Sequence, residues 1–429
     1  MLIDFTVENY RSISTAVTLS AIAQNRPSRA VAHGGRESAV EESVVGEPFE
    51  VHGRSIRLLP VIGIFGANAS GKSNVIHALD EIFKLVFYGS RENSGLENFL
   101  TPIVPFKLDG NSRTLPTRFR IRIAVSSGIY DYSLSIHKNI VLKEELKQIP
   151  PPPRRMQSRV LFSRHWNSVS EVHVWRNGKA FTNKYKDIQK ATKQDEPFLH
   201  LCVRRLEIPA ISDLAAFFIA KWPGVTLGTE YFDHLTAIKM AQRRKDLYKA
   251  AVRLLKLLDT GIADLQIRER RNDSSAEPVH ELWVLHKTAK SDIWWPFTEE
   301  SIGTQRLFAL IMKVLHIFDK GGLICVDELS PNIHPHIIRI IINLFQSSKT
   351  NPKRAQLIFT SHDYTLQKPN LLRRDQIWFT QKREDGSTEL YPLSDFHPRN
   401  DLALDKAYME GRFGAVPILP EPEALIVRR

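Results

Sequence analysis

The chain has 429 residues, of which 42% are hydrophobic and 25% are charged. These proportions indicate a globular protein with a large core and exclude a disordered chain. Lys and Arg outnumber Asp and Glu by 59 to 47, which gives a net charge of +12. A basic balance suggests nucleic acid or an acidic protein as partner, and a scattered solvated surface accounts for it equally well.

Cysteine usage and hydropathy predict the compartment. Cys202 and Cys325 lie far apart and in no metal-binding spacing, so we expect a reducing, cytoplasmic environment. The N-terminal segment MLIDFTVENYRS has an acidic residue at position 4 and no hydrophobic stretch typical of a secretory signal. No run of 18 apolar residues occurs, so we expect no membrane span.

The first part of the chain is predicted to be rich in strands. Alternating or short continuous apolar runs indicate strands at 2–8, 15–21, 58–65, 118–125, 130–136, 139–146 and 172–181. The pair Asn177-Gly178 in the last run predicts a hairpin turn. The polar stretch 25–56 predicts a mobile loop.

The middle of the chain, from about residue 187 to 260, is predicted to be helical. Its longest helix, 229–258, has a basic face made of Lys239, Arg243, Arg244, Lys245, Lys249, Arg253 and Lys256. A second basic surface is predicted on the strand 118–125, where Arg118, Arg120 and Arg122 alternate with apolar residues. Both surfaces suit contacts to nucleic-acid phosphates, and an ordinary solvated face accounts for both as well.

The last part alternates helices and strands, which predicts an α/β fold with a parallel sheet. We expect three units. Residues 1–186 form an N-terminal lobe with an antiparallel β-subdomain, residues 187–270 an inserted helical lid, and residues 271–429 a C-terminal lobe.

The stretch GANASGKS, residues 66–73, stands between a predicted strand and a predicted helix, which is the context of a phosphate-binding loop. Glycines let backbone N–H groups face phosphates, Lys72 reaches the terminal phosphates and Ser73 supplies an oxygen to Mg²⁺. We therefore expect the nucleotide to contact Gly66, Ala67, Asn68, Ala69, Ser70, Gly71, Lys72, Ser73 and Asn74.

A buried strand with acidic residues at its end, LICVDE at 323–328, suits the metal side of such a site. Asp327 would hold Mg²⁺ together with Ser73, and Glu328 would be the general base that polarises the attacking water. Any buried strand can end in acids at its solvent edge, but the phosphate loop makes the catalytic interpretation the stronger one.

The spacing between the motifs argues against GTPases and helicase-like motors. Lys72 and Asp327 are 255 residues apart, much farther than in GTPases or helicase-like motors. The segment SIGTQ at 301–305 begins a helix and offers Ser301, Gly303, Thr304 and Gln305 to an anion, although an ordinary helix cap is the alternative. The run LIFTSHD ends in His362, which we expect to contact the γ-phosphate, although a lone histidine at a strand end is more often structural.

Several stretches together resemble the ABC-type ATPases of the SMC, RecF and OLD group. They are FTVENYRSI, GANASGKSN, PFKLDG, SIGTQRL, VDELSPNIHP, FTSHD and YMEGRFGAVP. The last run resembles more closely the branch of bacterial anti-phage ATPases that includes RloA, PtuA and AriA. The resemblance implies an ABC-ATPase head with a mixed or parallel sheet core.

The resemblance also implies roles for further residues. Asn9 and Arg11 would lie near the base or phosphates of ATP, and residues 330–332 would cross to a partner subunit. In this class the signature of one subunit covers the nucleotide of the other, so a homodimer or larger homo-oligomer is expected. The SIGTQ signature departs from the LSGGQ of transporters, and Gln148 and Gln157 are only weak candidates for the glutamine that couples the lid to the site.

Two functions are compatible with these residues. The first is a slow, assembly-dependent ATPase that serves as sensor or scaffold in anti-phage defence. It would control a separately encoded nuclease or toxin, with DNA or a phage protein as trigger. The alternative is a RecF/SMC-like DNA-binding repair ATPase. The large insertion disfavours a transporter motor, and Glu328 with the signature disfavours a nucleotide kinase.

Overall fold

A computed structural model of the chain describes residues 1–24, 49–51, 56–89, 103–151, 157–220, 225–226, 234–258, 261–270, 279–287, 290–399 and 402–417. The loop predicted at 25–56 lies mostly outside the described residues. Among the described residues, no helix combines the length and hydropathy that crossing a membrane requires.

The strands, in chain order, are β1 (Leu2–Glu8), β2 (Val17–Ser20), β3 (Phe49–Val51), β4 (Ile56–Leu58), β5 (Val61–Gly66), β6 (Thr117–Val125), β7 (Gly128–His137), β8 (Ile140–Ile149), β9 (Arg159–Asn167), β10 (Val172–Asn177), β11 (Val225–Thr226), β12 (Asp264–Arg270), β13 (Val279–Lys287), β14 (Asp292–Pro296), β15 (Leu323–Val326), β16 (Gln356–Thr360), β17 (Ile377–Lys382) and β18 (Thr388–Pro392).

The helices are α1 (Lys72–Tyr88), α2 (Lys186–Ala191), α3 (Phe198–Arg204), α4 (Ser212–Ala220), α5 (His234–Arg243), α6 (Lys245–Leu257), α7 (Ile302–Lys320), α8 (Pro335–Gln346) and α9 (Leu404–Met409).

Two large sheets organise the molecule, and they confirm the predicted α/β fold. An antiparallel sheet has the order β10-β9-β8-β7-β6-β1-β2. The second sheet has the order β11-β15-β16-β5-β17-β18, in which only β18 runs antiparallel. Because β5, β15, β16 and β17 are parallel, their carboxyl ends meet at one edge, where open α/β sheets bind ligands.

Hydrophobic clusters cover both faces of the parallel sheet. On one face, α1 inserts Ile82 and Phe83 between this sheet and the antiparallel sheet, which contributes Phe5 and Ile121. The other face packs against α7 and α8 through residues such as Phe308. The apolar positions of α1 recur at helical spacing. Other residues of the helix are buried as well, so nearly its whole circumference is covered.

The helices of the predicted lid, residues 187–270, divide between these clusters. α3 and α4 pack with α1 in the first cluster, whereas α5 and α6 pack with α7 in the second. A small sheet, β12-β13-β14, follows α6 and precedes the start of α7. The division of the chain into three units stays a prediction.

Two local predictions were wrong. Asn177-Gly178 is no hairpin turn, because β10 ends at Asn177 and the chain continues toward α2 and not into a returning strand. Gly178 N still donates to Leu161 O of β9 at 2.8 Å, and the Asn177 side chain pairs with Gln189 of α2. The long basic helix is divided at Arg244, which bridges Asp246 and Asp319 and lets α5 and α6 pack separately against α7. Residues 229–233 of that predicted helix lie outside the described residues.

Candidate functional site

The phosphate loop connects β5 to α1 at the carboxyl edge of the parallel sheet, as its motif predicts. Ala69 and Gly71 have positive φ values of 59° and 105°. Left-handed residues in such a loop turn backbone N–H groups toward one concave side, which forms an anion-binding nest. Gly71 is also needed for space, because a Cβ there would lie 2.0 Å from Thr388 Oγ1.

Lys72 is the buried cation of the loop, with only 4% of its surface exposed. Its Nζ donates to Gly66 O and to Ala67 O, each at 3.0 Å. Burial lowers the pKa of Lys72, and the nearby carboxylates Glu328 and Asp327 oppose that shift. A polyanion in the loop would supply the negative charge that this desolvated ammonium lacks.

Ser73 and Asp327 are the residues of the predicted metal site, and Thr360 lies beside them. Ser73 Oγ donates to Asp327 Oδ1 at 3.1 Å, although 254 residues separate them. Thr360 Oγ1 at the end of β16 donates to the same oxygen at 2.6 Å. A hydroxyl beside one carboxylate suits Mg²⁺, which takes few protein ligands and completes its shell with phosphates and water.

Glu328 and His362 lie beside that carboxylate and contact each other. His362 Nε2 is 3.0 Å from Glu328 Oε1, with 41% and 29% of the two side chains exposed. Glu328 has a positive φ of 57°, and its N–H donates to Thr360 Oγ1 at 2.8 Å. The hydrogen bond to Thr360 therefore fixes the backbone that carries this carboxylate.

A chain of hydroxyl groups anchors the other side of the loop. Asn74 Nδ2 donates to Ser12 Oγ at 2.6 Å, and Ser12 Oγ lies 2.7 Å from Thr388 Oγ1. Thr388 Oγ1 donates to Ser70 O at 3.0 Å, while Ser70 Oγ contacts Thr380 Oγ1 at 2.6 Å. The loop is therefore fixed to β17, β18 and the N-terminal segment at once.

Asn9 and Arg11 occupy different positions relative to the loop. Asn9 is buried, and its Nδ2 donates to Ser112 O and Leu115 O at 2.8 and 2.9 Å. Its amide hydrogens are thus engaged within the chain, and this geometry does not support the predicted contact with nucleotide. Arg11 lies over the Tyr10 ring, 5.5 Å from its centroid, and its charge adds to burial in lowering the pKa of His77 on α1.

The signature segment begins α7 with a regular helix cap. Ser301 is the N-cap, and its Oγ accepts from Thr304 N at 3.1 Å and contacts Thr304 Oγ1 at 2.9 Å. Gln305 Nε2 folds back onto Glu300 O at 2.8 Å and Thr298 O at 3.1 Å. The capping alternative therefore describes the present contacts of Ser301, and its predicted contact with a nucleotide stays a prediction.

Gly303 and Arg306 attach α7 to the loop at 330–332. A Cβ on Gly303 would lie 2.0 Å from Asn332 O, so only glycine permits this approach. Arg306 is buried and its Nη1 donates to Pro331 O at 3.2 Å. The signature and the loop predicted to reach a partner subunit therefore form one surface of the same chain.

Hydrogen bonds do not connect the two halves of the predicted site within the described part of the chain. Among the hydrogen bonds and ion pairs of the described residues, none joins 301–305 to 66–74. The structure therefore brings together Lys72, Ser73, Asp327, Glu328 and His362, and the signature is not bonded to this group.

The coupling role of Gln148 or Gln157 stays a prediction. Gln148 is buried in the antiparallel sheet, where its Nε2 donates to Tyr130 Oη at 2.9 Å and its Oε1 accepts from Arg159. Gln157 is exposed at the start of the segment before β9.

The two predicted basic surfaces differ sharply in pairing. Arg118, Arg120 and Arg122 on β6 each contact a carboxylate, respectively Glu8, Asp131 and Asp4. On α5 and α6, Lys256 pairs with Asp264 and Arg244 with Asp246 and Asp319. Within the described part of the chain, the exposed cations without an ion pair on these helices are Lys239, Arg243, Lys245, Lys249 and Arg253.

Sequence reasoning missed Thr360, Thr388 and Ser12. A signal existed for Thr360, because it ends a buried strand immediately before Ser361-His362. Thr388 and Ser12 carry no such signal, since only the tertiary packing of distant segments brings them to the loop.

A protein-family model matches most of the chain. Residues 61–366 match the family model described as AAA domain, putative AbiEii toxin, Type IV TA system. The chain belongs to this family. The match runs from β5 past β16, so the AAA-domain region contains the phosphate loop, the signature, the carboxylate pair and His362.

Solved structures of SMC heads are similar to the chain at low identity. An SMC head bound to the C-winged helix domain of ScpA has 13% identity and a TM-score of 0.46, covering 95% of this chain and 99% of that one. The SMC head domain from Thermotoga maritima has 12% identity and a TM-score of 0.38, covering 91% and 98%.

An Smc head domain with an extended coiled coil, bound to the C-terminal domain of ScpA derived from Pyrococcus furiosus, has 12% identity and a TM-score of 0.36, covering 96% and 98%. No curated protein matches the chain.

Proposed function

We propose that this chain is an ATP-hydrolysing switch of the ABC type, which assembles as a homodimer in response to ATP and controls a separately encoded toxin or nuclease in anti-phage defence. The single observation that carries the proposal is the split site. One half is fully assembled around Lys72, and the other, at Ser301, is exposed elsewhere on the same chain.

The residues present fit ATP and Mg²⁺. The concave backbone at 66–71 and the desolvated Lys72 ammonium suit the phosphates. Ser73 and Asp327 would hold the metal, which would neutralise phosphate charge when bound.

Each remaining side chain has a role in hydrolysis that follows from its position. Glu328 would accept the proton of the attacking water, since it is the more exposed carboxylate of the pair and is not bound by Ser73. Thr360 orients Asp327 and fixes the Glu328 backbone through its one hydroxyl. His362 contacts Glu328, and its exposed ring would turn toward a γ-phosphate.

The proposed dimer would bring the signature of one subunit to the phosphate loop of the other. The N-terminus of α7 would cover the nucleotide held by a partner subunit, as the resemblance to ABC-type ATPases implies. Gly303 and Arg306 carry the loop 330–332 on the same surface, so it would reach the partner together with the signature.

The defence role rests on the family and on the resemblance of YMEGRFGAVP to the branch with RloA, PtuA and AriA. The description of the family names a toxin and a type IV toxin–antitoxin system. We therefore expect the gene beside this one to encode the effector. Phage plating with the pair, with this chain alone, and with Lys72→Ala tests the role: protection by the wild-type pair only supports it, and equal protection by the Lys72→Ala pair contradicts it.

The ATP-dependent dimerisation is tested separately by sedimentation of the Glu328→Gln protein with and without ATP. A dimer that forms only with ATP supports the switch, and a monomer at every ATP concentration contradicts it.

A DNA-binding ATPase is the second candidate, favoured by the unpaired cations on α5 and α6. Lys245, Lys249 and Arg253 recur every four residues, about 6 Å apart along a helix, which suits neighbouring phosphates. The β6 arginines are no longer candidates, because carboxylates already neutralise them. Charge reversal at Lys249 should weaken salt-dependent DNA binding, whereas reversal at Arg120 should not; equal effects would exclude the α6 surface.

A further inference from the structure

The residue before the signature cap, Glu300, is held by two aromatic side chains. Its Oε1 accepts from Trp295 Nε1 at 2.8 Å and lies 2.7 Å from His286 Nε2. The two rings stack on each other, with centroids 4.2 Å apart and an interplanar angle of 21°. The Glu300 side chain is 9% exposed, so this carboxylate is largely removed from water.

The same contacts connect the small sheet to the start of α7. His286 lies on β13 and Trp295 on β14, and these strands pair with each other. Phe297, which follows β14, is buried against Phe308 of α7 with ring centroids 5.4 Å apart. The segment between β14 and Ser301 is therefore fixed at both of its ends.

A carboxylate at this position poses an electrostatic problem. The N-terminus of a helix attracts anions, and a glutamate directly before the N-cap is close enough to compete for its N–H groups. A released Glu300 would occupy or repel the position at which Ser301 and its neighbours are expected to meet a phosphate.

We propose that His286 and Trp295 are positioning residues that hold the Glu300 carboxylate away from the N-terminus of α7, so that this terminus stays available to the nucleotide of a partner subunit. This inference rests on the proposed function. If Glu300 were released, its negative charge, and not its shape, would oppose assembly.

The test removes the indole donor and then the charge. Trp295→Phe keeps the aromatic ring but loses its N–H, so Glu300 is held by His286 alone. In a Glu328→Gln background, we expect ATP-dependent dimerisation to weaken by about fivefold to tenfold, the size of a helix-terminus charge effect. Nucleotide binding to the monomer should stay unchanged, because neither Trp295 nor Glu300 belongs to the phosphate loop.

Rescue distinguishes an electrostatic role from a merely structural one. Adding Glu300→Gln to Trp295→Phe should restore dimerisation, since the neutral amide no longer competes with a phosphate. Failure of this rescue, or unchanged dimerisation in Trp295→Phe, would overturn the inference. Trp294→Phe is the matched control, because that ring lies beside Arg268 and has no contact with Glu300.

Ser301→Ala separates this inference from the proposed function. If Ser301→Ala abolishes dimerisation while Trp295→Phe does not alter it, only the role of the His286–Trp295 pair is wrong. If Ser301→Ala leaves ATP-dependent dimerisation intact, the signature does not act across subunits, and the proposed function fails with it.

Discussion

The phosphate-loop half and the signature half of the candidate site differ in how completely the chain builds them. The phosphate-loop half is buried and hydrogen-bonded within the chain: Lys72 is 4% exposed, and Asp327 accepts hydrogen bonds from two hydroxyl groups on separate elements. The second is a helix start whose cap is exposed and satisfied only by its own first turn. Under the proposed function, the first half would bind a nucleotide by itself, whereas the second would need the surface of a partner subunit.

The largest effect is expected from Lys72→Ala, which removes the cation from the assembled half. ATP binding should fall below detection, because no other ammonium lies in the loop. Calorimetry with ATP checks this outcome, and Lys84→Ala, on the same helix and paired with Asp80, is the control that should bind normally. Binding retained by Lys72→Ala would remove the loop from the site.

Glu328→Gln should separate binding from hydrolysis within the assembled half. The amide keeps the shape but cannot accept a proton, so turnover should fall by about 100-fold or more. ATP affinity should be preserved, and the dimer should accumulate. A phosphate-release assay beside calorimetry measures both; hydrolysis at the wild-type rate would mean that another residue is the base.

Gly303→Ala should damage the exposed half without touching the assembled one. The new Cβ would lie 2.0 Å from Asn332 O, so α7 or the loop 330–332 must move. We expect turnover to drop by about tenfold, a barrier change near 1.4 kcal/mol, with unchanged ATP binding by the monomer. Gly110→Ala is the control, since a Cβ there meets nothing within 4 Å. Equal turnover in both variants would contradict the importance of this contact.

Thr360→Val should lower the stability of the protein, and its effect is measured on unfolding and not on turnover. It removes the hydroxyl that serves both Asp327 and the Glu328 backbone, and leaves those groups without one partner each. A lost buried hydrogen bond should lower the free energy of unfolding by about 1–3 kcal/mol. Denaturant unfolding measures this loss, and Thr360→Ser, which keeps the hydroxyl, should restore most of it; no difference between the two variants would contradict the assigned role.

The proximity of the residues in the assembled half could be inferred from the sequence because its motifs are local. A strand, a glycine-rich turn and a helix stand in order around Lys72, and Asp327-Glu328 follow a continuous apolar run. Parallel strands bring their carboxyl ends together, so proximity of these groups follows from their position after strands.

What the sequence could not show depends on contacts between distant segments. Asn9 follows a strand and precedes Arg11 as the resemblance requires, yet its amide is used by the backbone near residues 112–115. The contact of Glu300 with His286 and Trp295 depends on the register of β13 and β14, and β14 itself was not predicted. The pairing of the β6 arginines likewise depends on which strands flank them.

The most direct test of the split site is subunit mixing. Lys72→Ala and Ser301→Ala proteins should each turn over ATP poorly, but a mixed dimer places one intact phosphate loop opposite one intact signature. The account predicts that mixing the two inactive proteins restores turnover well above that of either alone. A mixture no more active than the average of its two components would contradict a site completed by a second copy of the chain.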